Sequence, residues 1–175
     1  AGDVLILSGS IPKSMSKDAY RNILESLKDR EIKTVVDATG ELLKGTLDLK
    51  PFLIKPNVHE LAELFNVEIK TLEEIEFYAR KLQDLGAQNV LISMAGNGSL
   101  LIDENGRSYR SGVCKGKLKN SVGAGDSMVA GFVAGYLDGK EYHEIIKLAT
   151  AAGGATAFSE GLAKREMIEE LLKQL

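Results

Sequence analysis

No disulfide can form within this chain, because Cys114 is its only cysteine, and that thiol and the two histidines lack the spacing of a zinc site. A reducing setting fits best, so a cytoplasmic location is the expectation. No uninterrupted apolar stretch approaches the roughly 20 residues that a membrane-spanning helix needs. Basic excess is absent too: the formal charge is -3 and the pI about 5.5, which gives no general attraction to phosphodiester backbones or anionic lipid. The most basic short stretch, Lys115-Gly-Lys-Leu-Lys119, reads as a solvated loop rather than a phosphate patch. Neither nucleic acid nor membrane is expected as a partner. Two common phosphate-binding patterns are also missing, the Gly-x-x-x-x-Gly-Lys-Ser/Thr loop and the Gly-x-Gly-x-x-Gly dinucleotide signature.

What is present suits one globular core. The 175 residues are 44% hydrophobic and 27% charged, and residues 1–175 read as one domain without repeat, linker or low-complexity segment. Short apolar runs at Val4–Leu7, Lys33–Asp37, Pro51–Lys55 and Asn89–Ser93 read as strands. Between them lie an amphipathic run from Ser16 to about Arg30, helical stretches at Glu41–Leu49 and Val58–Phe65, and a helix opened by Thr71 and Glu74 and closed by Gly86. Ser99–Asp103 and Arg107–Arg110 flank Glu104-Asn-Gly106 and predict an antiparallel hairpin at the edge. Three helices follow, to about Leu137, from Tyr142 to about Phe158, and from Lys164 to Leu175. This alternation predicts an α/β fold, its sheet mainly parallel and covered by helices on both faces. The chain begins almost directly in a buried-type strand, from which further chain upstream is expected.

In such sheets ligands collect at the carboxyl ends of strands. Gly9-Ser-Ile-Pro12, Asp37-Ala-Thr-Gly40, Lys55-Pro-Asn-Val-His-Glu60 and Ser93-Met-Ala-Gly-Asn-Gly98 all lie there. The sharpest feature is Asn120-Ser-Val-Gly-Ala-Gly-Asp126, a glycine loop opening a helix. Glycines let backbone approach a ligand, and the N–H groups at a helix start attract anions. A carboxylate at that spot repels an anion unless it has work to do, such as accepting a proton from an attacking hydroxyl. By spacing alone, Asp126 serves equally well to complement the helix dipole. Asn57 and Glu60 also have the spacing of a helix cap. His59 and His143, without matching partners, read as surface residues.

Together these motifs resemble the PfkB, or ribokinase-like, carbohydrate kinases. Asn120 to Gly131 is similar to that family's C-terminal signature, Asn57-Val-His-Glu60 matches its Asn-x-x-Glu motif, and the order of the other strand-end motifs extends the resemblance over nearly the whole chain. Ser10-Ile-Pro12, Lys55-Pro-Asn57 and Asn120 look most like the 1-phosphofructokinase and tagatose-6-phosphate kinase branch.

The resemblance implies a ribokinase-like fold and ATP-dependent phosphorylation of a phosphorylated ketose, fructose 1-phosphate being the first choice of substrate and tagatose 6-phosphate the alternative. It implies that Asp126 is the catalytic base and that Gly123, Ala124 and Gly125 form the anion hole. Asn57 and Glu60 would hold magnesium. Lys55, Asn57, Ser93, Gly96, Gly98, Gly125 and Gly153 would contact ATP, Gly153 by letting a helix pack closely with the adenine beside it. For Lys55 solvation, and for Ser93, Gly96 and Gly98 an ordinary turn, remain alternatives. Family members are longer, and the N-terminal half, with its first glycine motif, most sugar contacts and the β-sheet lid, has no counterpart here. The chain is therefore expected to be a C-terminal, nucleotide-binding part of a homodimeric enzyme, nearly inactive alone. A catalytically silent nucleotide-binding module is the alternative from another class.

Overall fold

Val35-Val36, Leu53-Ile54 and Val90-Leu91-Ile92, the apolar centres of three successive strands, are wholly buried in the computed structural model, which describes residues 2–175. Hydrogen bonding joins six strands in the order β1-β2-β3-β4-β5-β6, namely Asp3–Ser8, Ile32–Asp37, Leu53–Ile54, Asn89–Ser93, Ser99–Ile102 and Ser108–Ser111. The first four are parallel, with Leu7 opposite Val36, Val36 opposite Ile54, and Ile54 opposite Val90. A five-residue connection joins β5 to β6, too short for anything but a reversal, so the sheet is mixed as expected. By contacts the chain separates into two compact units, one reaching Ile92 and including Ile102–Arg107, the other made of Ser93–Leu101 and Ser108–Leu175.

In the first unit the helices are α1 (Ala19–Ser26), α2 (Gly40–Lys44), α3 (Val58–Phe65) and α4 (Leu72–Asp84). Three elements are shorter than the sequence predicts. The Ser16 hydroxyl accepts from the Asp18 amide at 3.1 Å, so α1 starts at Ala19, and residues 27–30 form successive turns after it. The stretch read as helix from Glu41 to Leu49 breaks at Gly45-Thr46, where the Thr46 hydroxyl bonds the Leu43 carbonyl at 2.7 Å. β3 has only two residues because Pro51 and Pro56, which bracket it, cannot donate to a ladder. Asn89 ties this unit together from within: its amide donates to the Phe52 carbonyl and its oxygen accepts from the Glu104 amide.

In the second unit α5 (Ala124–Leu137) packs on α6 (Tyr142–Ala157), and α7 (Arg165–Leu172) covers Cys114, Ala151 and Ala155 through Leu171. Small residues make the first contact possible. A β-carbon on Gly131 would lie 2.9 Å from the Ala149 Cα, and one on Gly135 3.2 Å from the Ile145 side chain. The Ser99 and Thr150 hydroxyls bond each other and fasten α6 to β5. Burial raises the pKa of the Cys114 thiol, which suits a packing role.

Candidate active site

Each unit carries a group of the residues singled out from the sequence. In the first, Asn57 is extended (φ -87°, ψ 173°) and caps α3. Its Oδ1 accepts from the Glu60 amide at 2.8 Å, while Glu60 Oε2 accepts from the Asn57 amide at 2.8 Å. The capping arrangement inferred as an alternative is therefore formed. It uses one carboxylate oxygen of Glu60. Magnesium favours hard oxygen donors and binds through one or two carboxylates, keeping several waters, so the donor chemistry of Asn57 and Glu60 fits that ion. Among the described residues no cluster of three or more His, Cys, Asp or Glu side chains could make a protein-only cage.

Lys55 follows β3 directly and is only 7% exposed, which rules out the solvated alternative. Its Nζ lies 3.3 Å from Asp37 Oδ1. Beside them Tyr20 of α1 donates its hydroxyl to the Ser8 and Gly9 carbonyls at 2.9 and 3.0 Å. Burial, and secondarily the charge of Asp37, raises the Tyr20 pKa, so the phenol stays a neutral donor. His59 is on the exposed side of α3, 3.2 Å from Glu63.

In the second unit, Asn120 Oδ1 accepts from the Val122 amide at 3.0 Å and starts the glycine loop as a tight turn. Gly123 caps α5 in the left-handed region (φ 79°), a conformation that favours glycine. The Ala124 amide turns back to the Ser121 carbonyl at 3.2 Å. The first turn of α5, which follows the Gly123 cap, forms the positive end of the helix dipole. Asp126 stands on this first turn with an exposed side chain. Such a terminus can hold an anion while the carboxylate faces whatever donates a proton to it.

Gly153 of α6 adjoins this loop. A β-carbon there would be 2.5 Å from Met128 Cγ and 3.1 Å from the Ala124 carbonyl oxygen, so close packing is its role in the fold. The Ser127 and Thr156 hydroxyls bond each other at 2.7 Å, a second link between the same helices. Ser93 ends β4, and Gly96 and Gly98 belong to the β4–β5 turn. Gly98 (φ 83°) is buried against the carbonyls of Ser111 and Gly112, whereas Gly96 faces open space. The turn alternative thus accounts for Gly98 and leaves Gly96 unexplained by packing.

Sequence reasoning noted Asp37 as a strand end but gave it no partner, and it passed over Tyr20, Ser127 and Thr156. Opposite charges ending two adjacent apolar strands, Asp37 and Lys55, were the available signal.

A family model described as "pfkB family carbohydrate kinase" matches residues 1–167. The 1-phosphofructokinase of Bacillus subtilis is 46% identical over 174 residues, which are 99% of this chain and 57% of that protein. The tagatose-6-phosphate kinase of Staphylococcus epidermidis is 30% identical over 178 residues, again 99% of this chain and 57% of that protein. A crystal structure from Staphylococcus aureus, described as a phosphofructokinase, superimposes with a TM-score of 0.93 at 40% identity and covers 99% of this chain and 56% of its own. The chain therefore spans about 57% of the length of the curated relatives it matches.

Proposed function

The chain belongs to the pfkB family of carbohydrate kinases, and from that premise we propose that it takes part in transferring the γ-phosphoryl group of ATP to a hydroxyl of a sugar phosphate. Fructose 1-phosphate, giving fructose 1,6-bisphosphate, is the acceptor favoured by the 46% identity to a 1-phosphofructokinase. Tagatose 6-phosphate is the alternative, supported by the similarity to a tagatose-6-phosphate kinase. The observation that carries the reading is Asp126 on the first turn of α5, directly after the left-handed Gly123.

In this reading the carboxylate of Asp126 takes the proton of the acceptor hydroxyl. The resulting oxygen forms a bond to the γ-phosphorus, the bond to the bridging oxygen breaks, and ADP departs. First-turn amides of α5, in the loop Gly123-Ala124-Gly125, stabilise charge on the peripheral phosphoryl oxygens, and being fixed they need little reorganisation. In the first unit, Lys55 offers its ammonium to ATP phosphate oxygens. Glu60, oriented by Asn57, is the carboxylate that would hold magnesium, whose chemistry is to neutralise phosphate charge. Ser93 and Gly96 remain candidates for contact with the nucleotide. Homodimerisation at the length of the relatives, and a cytoplasmic setting, complete the proposal.

Asp126→Asn, in a chain extended to the length of its relatives, tests this. Turnover is expected to fall by about 10² to 10⁴, the usual contribution of a general base, with ATP affinity changed only a few-fold. Unchanged turnover rejects the base, and absence of ATP binding by the extended parent rejects the kinase. Positioning and closure supply much of such catalysis, so the 175 residues alone are expected to turn over far more slowly than the extended chain.

A further inference from the structure

The register of the parallel strands brings three strand ends level. Ser8 is opposite Asp37, and Val36 is opposite Ile54, so the next step along places Asp37 beside Lys55. Equivalent residues on parallel neighbours project to the same face, and here an acid and a base do so at the carboxyl edge, where α/β sheets receive ligands. From this we propose that Asp37 is a positioning residue, which holds the Lys55 ammonium in place for an anionic phosphate group. The proposal rests on the reading above that Lys55 meets the phosphates of ATP.

Burial is the first part of the case. Side-chain exposure is 7% for Lys55 and 16% for Asp37, and an ammonium taken that far from water is costly unless a counter-charge accompanies it. Asp37 supplies that charge. Its own backbone is fixed, since its carbonyl accepts from the Gly9 amide at 3.0 Å, and the carbonyls of Ser8 and Gly9 are in turn held by the Tyr20 hydroxyl. Tyr20 stays protonated because burial and the Asp37 charge both raise its pKa, so the brace persists at neutral pH. The anchor is thus rigid on the side of the acid.

The length of the pair is the second part. At 3.3 Å it is looser than the 2.7 Å contact between Arg21 and Asp48 in the same unit. Charge-assisted pairs at full strength are about 2.7–2.9 Å. An ammonium has three donors, and one carboxylate oxygen leaves it able to turn others toward an arriving anion. Asp37 therefore orients Lys55 without exhausting it.

The sign of the effect distinguishes positioning from simple electrostatics. Asp37→Asn removes a negative charge near the phosphates, so electrostatics alone would tighten ATP binding. Positioning demands the reverse. In the chain extended to the length of its relatives, calorimetric titration with magnesium ATP should show about tenfold weaker binding for Asp37→Asn, while adenosine affinity, which also reports an intact fold, stays at the parent value. Lys55→Met should weaken ATP about as much, and the double variant no more than Lys55→Met alone. ATP affinity at or above the parent value in Asp37→Asn, with Lys55→Met still weakened, overturns the positioning role and leaves the reading of Lys55 standing. Unchanged ATP affinity in Lys55→Met overturns both. Asp37→Glu keeps the charge; it should lose a smaller share of ATP affinity than Asp37→Asn, and no loss at all in it also counts against the proposal.

Discussion

Side chains hold the candidate residues of the first unit in place, whereas backbone geometry holds those of the second. Asn57 and Glu60 exchange two hydrogen bonds of 2.8 Å, and Lys55 is paired with Asp37. In the second unit the arrangement depends instead on glycines: a left-handed Gly123 before Asp126, Gly153 pressed against Met128 and Ala124, and, separately, Gly98 of the β4–β5 turn against the carbonyls of Ser111 and Gly112. A region built from side chains loses an interaction when a group is deleted. One built from glycines has no room when a carbon is added, so the two should differ in which substitutions damage them.

The largest stability effect is expected at Gly98. A β-carbon there would be 2.1 Å from the Ser111 carbonyl oxygen, an immobile backbone atom, and the residue has φ 83° and ψ -135°. Strain in a glycine-only region costs roughly 1–3 kcal/mol, and overpacking adds a similar amount. Gly98→Ala is therefore expected to lose about 3 kcal/mol or more by urea denaturation, and a loss below about 1 kcal/mol would break the comparison. Gly153→Ala comes next, at about 1–3 kcal/mol, because its nearest neighbour, Met128 Cγ at 2.5 Å, belongs to a flexible side chain that can partly yield. Gly96 is the control. With nothing within 4 Å of its β-carbon position, Gly96→Ala should stay within about 0.5 kcal/mol of the parent, so that any change in ATP affinity reports contact with the nucleotide.

Deletion in the first unit should be milder. Asn57→Ala removes one half of the α3 box and is expected to cost about 1 kcal/mol. Glu60→Gln separates capping from metal binding, since a glutamine oxygen still accepts from the Asn57 amide but carries no charge. Stability should hold within about 0.5 kcal/mol while the magnesium concentration needed for half-maximal turnover of the extended chain rises several-fold. An unchanged magnesium requirement would confine Glu60 to capping.

Signals local in sequence were read correctly. The bounds Val58–Phe65 and Asn89–Ser93, and the box at Thr71, follow from patterns four to eight residues long, and the structure reproduces them; the box at Asn57, which the sequence offers only as an alternative to magnesium binding, is formed as well. Gly123 was legible for the same reason, because glycine before a helix with an acid on its first turn is a local statement about backbone. The break at Gly45-Thr46 was missed because a side chain competing for the Leu43 carbonyl leaves the apolar period intact. The pairing of Asp37 with Lys55 lay further out of reach. It depends on the register between β2 and β3, and residues 18 apart in sequence become neighbours only once that register is set. The different duties of Gly96 and Gly98, two residues apart in one motif, likewise required knowing where Ser111 returns.

The weakest expected effect concerns pH, and it separates the two capping boxes of the first unit. At α4, Glu74 accepts from the amides of Lys70 and Thr71 at 2.7 and 3.0 Å, and these bonds lower its pKa below the ordinary 4.5. A carboxylate with a depressed folded-state pKa adds stability that is complete above its unfolded value. That stability is lost as pH falls from there through the lowered folded value. The side chain lies at the surface, so solvent screening keeps the contribution small, and its sign is the useful quantity. Urea midpoints measured from pH 6 to pH 3 should fall for the parent, and Glu74→Gln, which cannot titrate, should show a shallower fall confined to the region below about pH 4.5. Parallel curves for the two proteins would mean that the α4 box is not formed in solution, and that only the α3 box, beside Lys55, is a fixed feature of this unit.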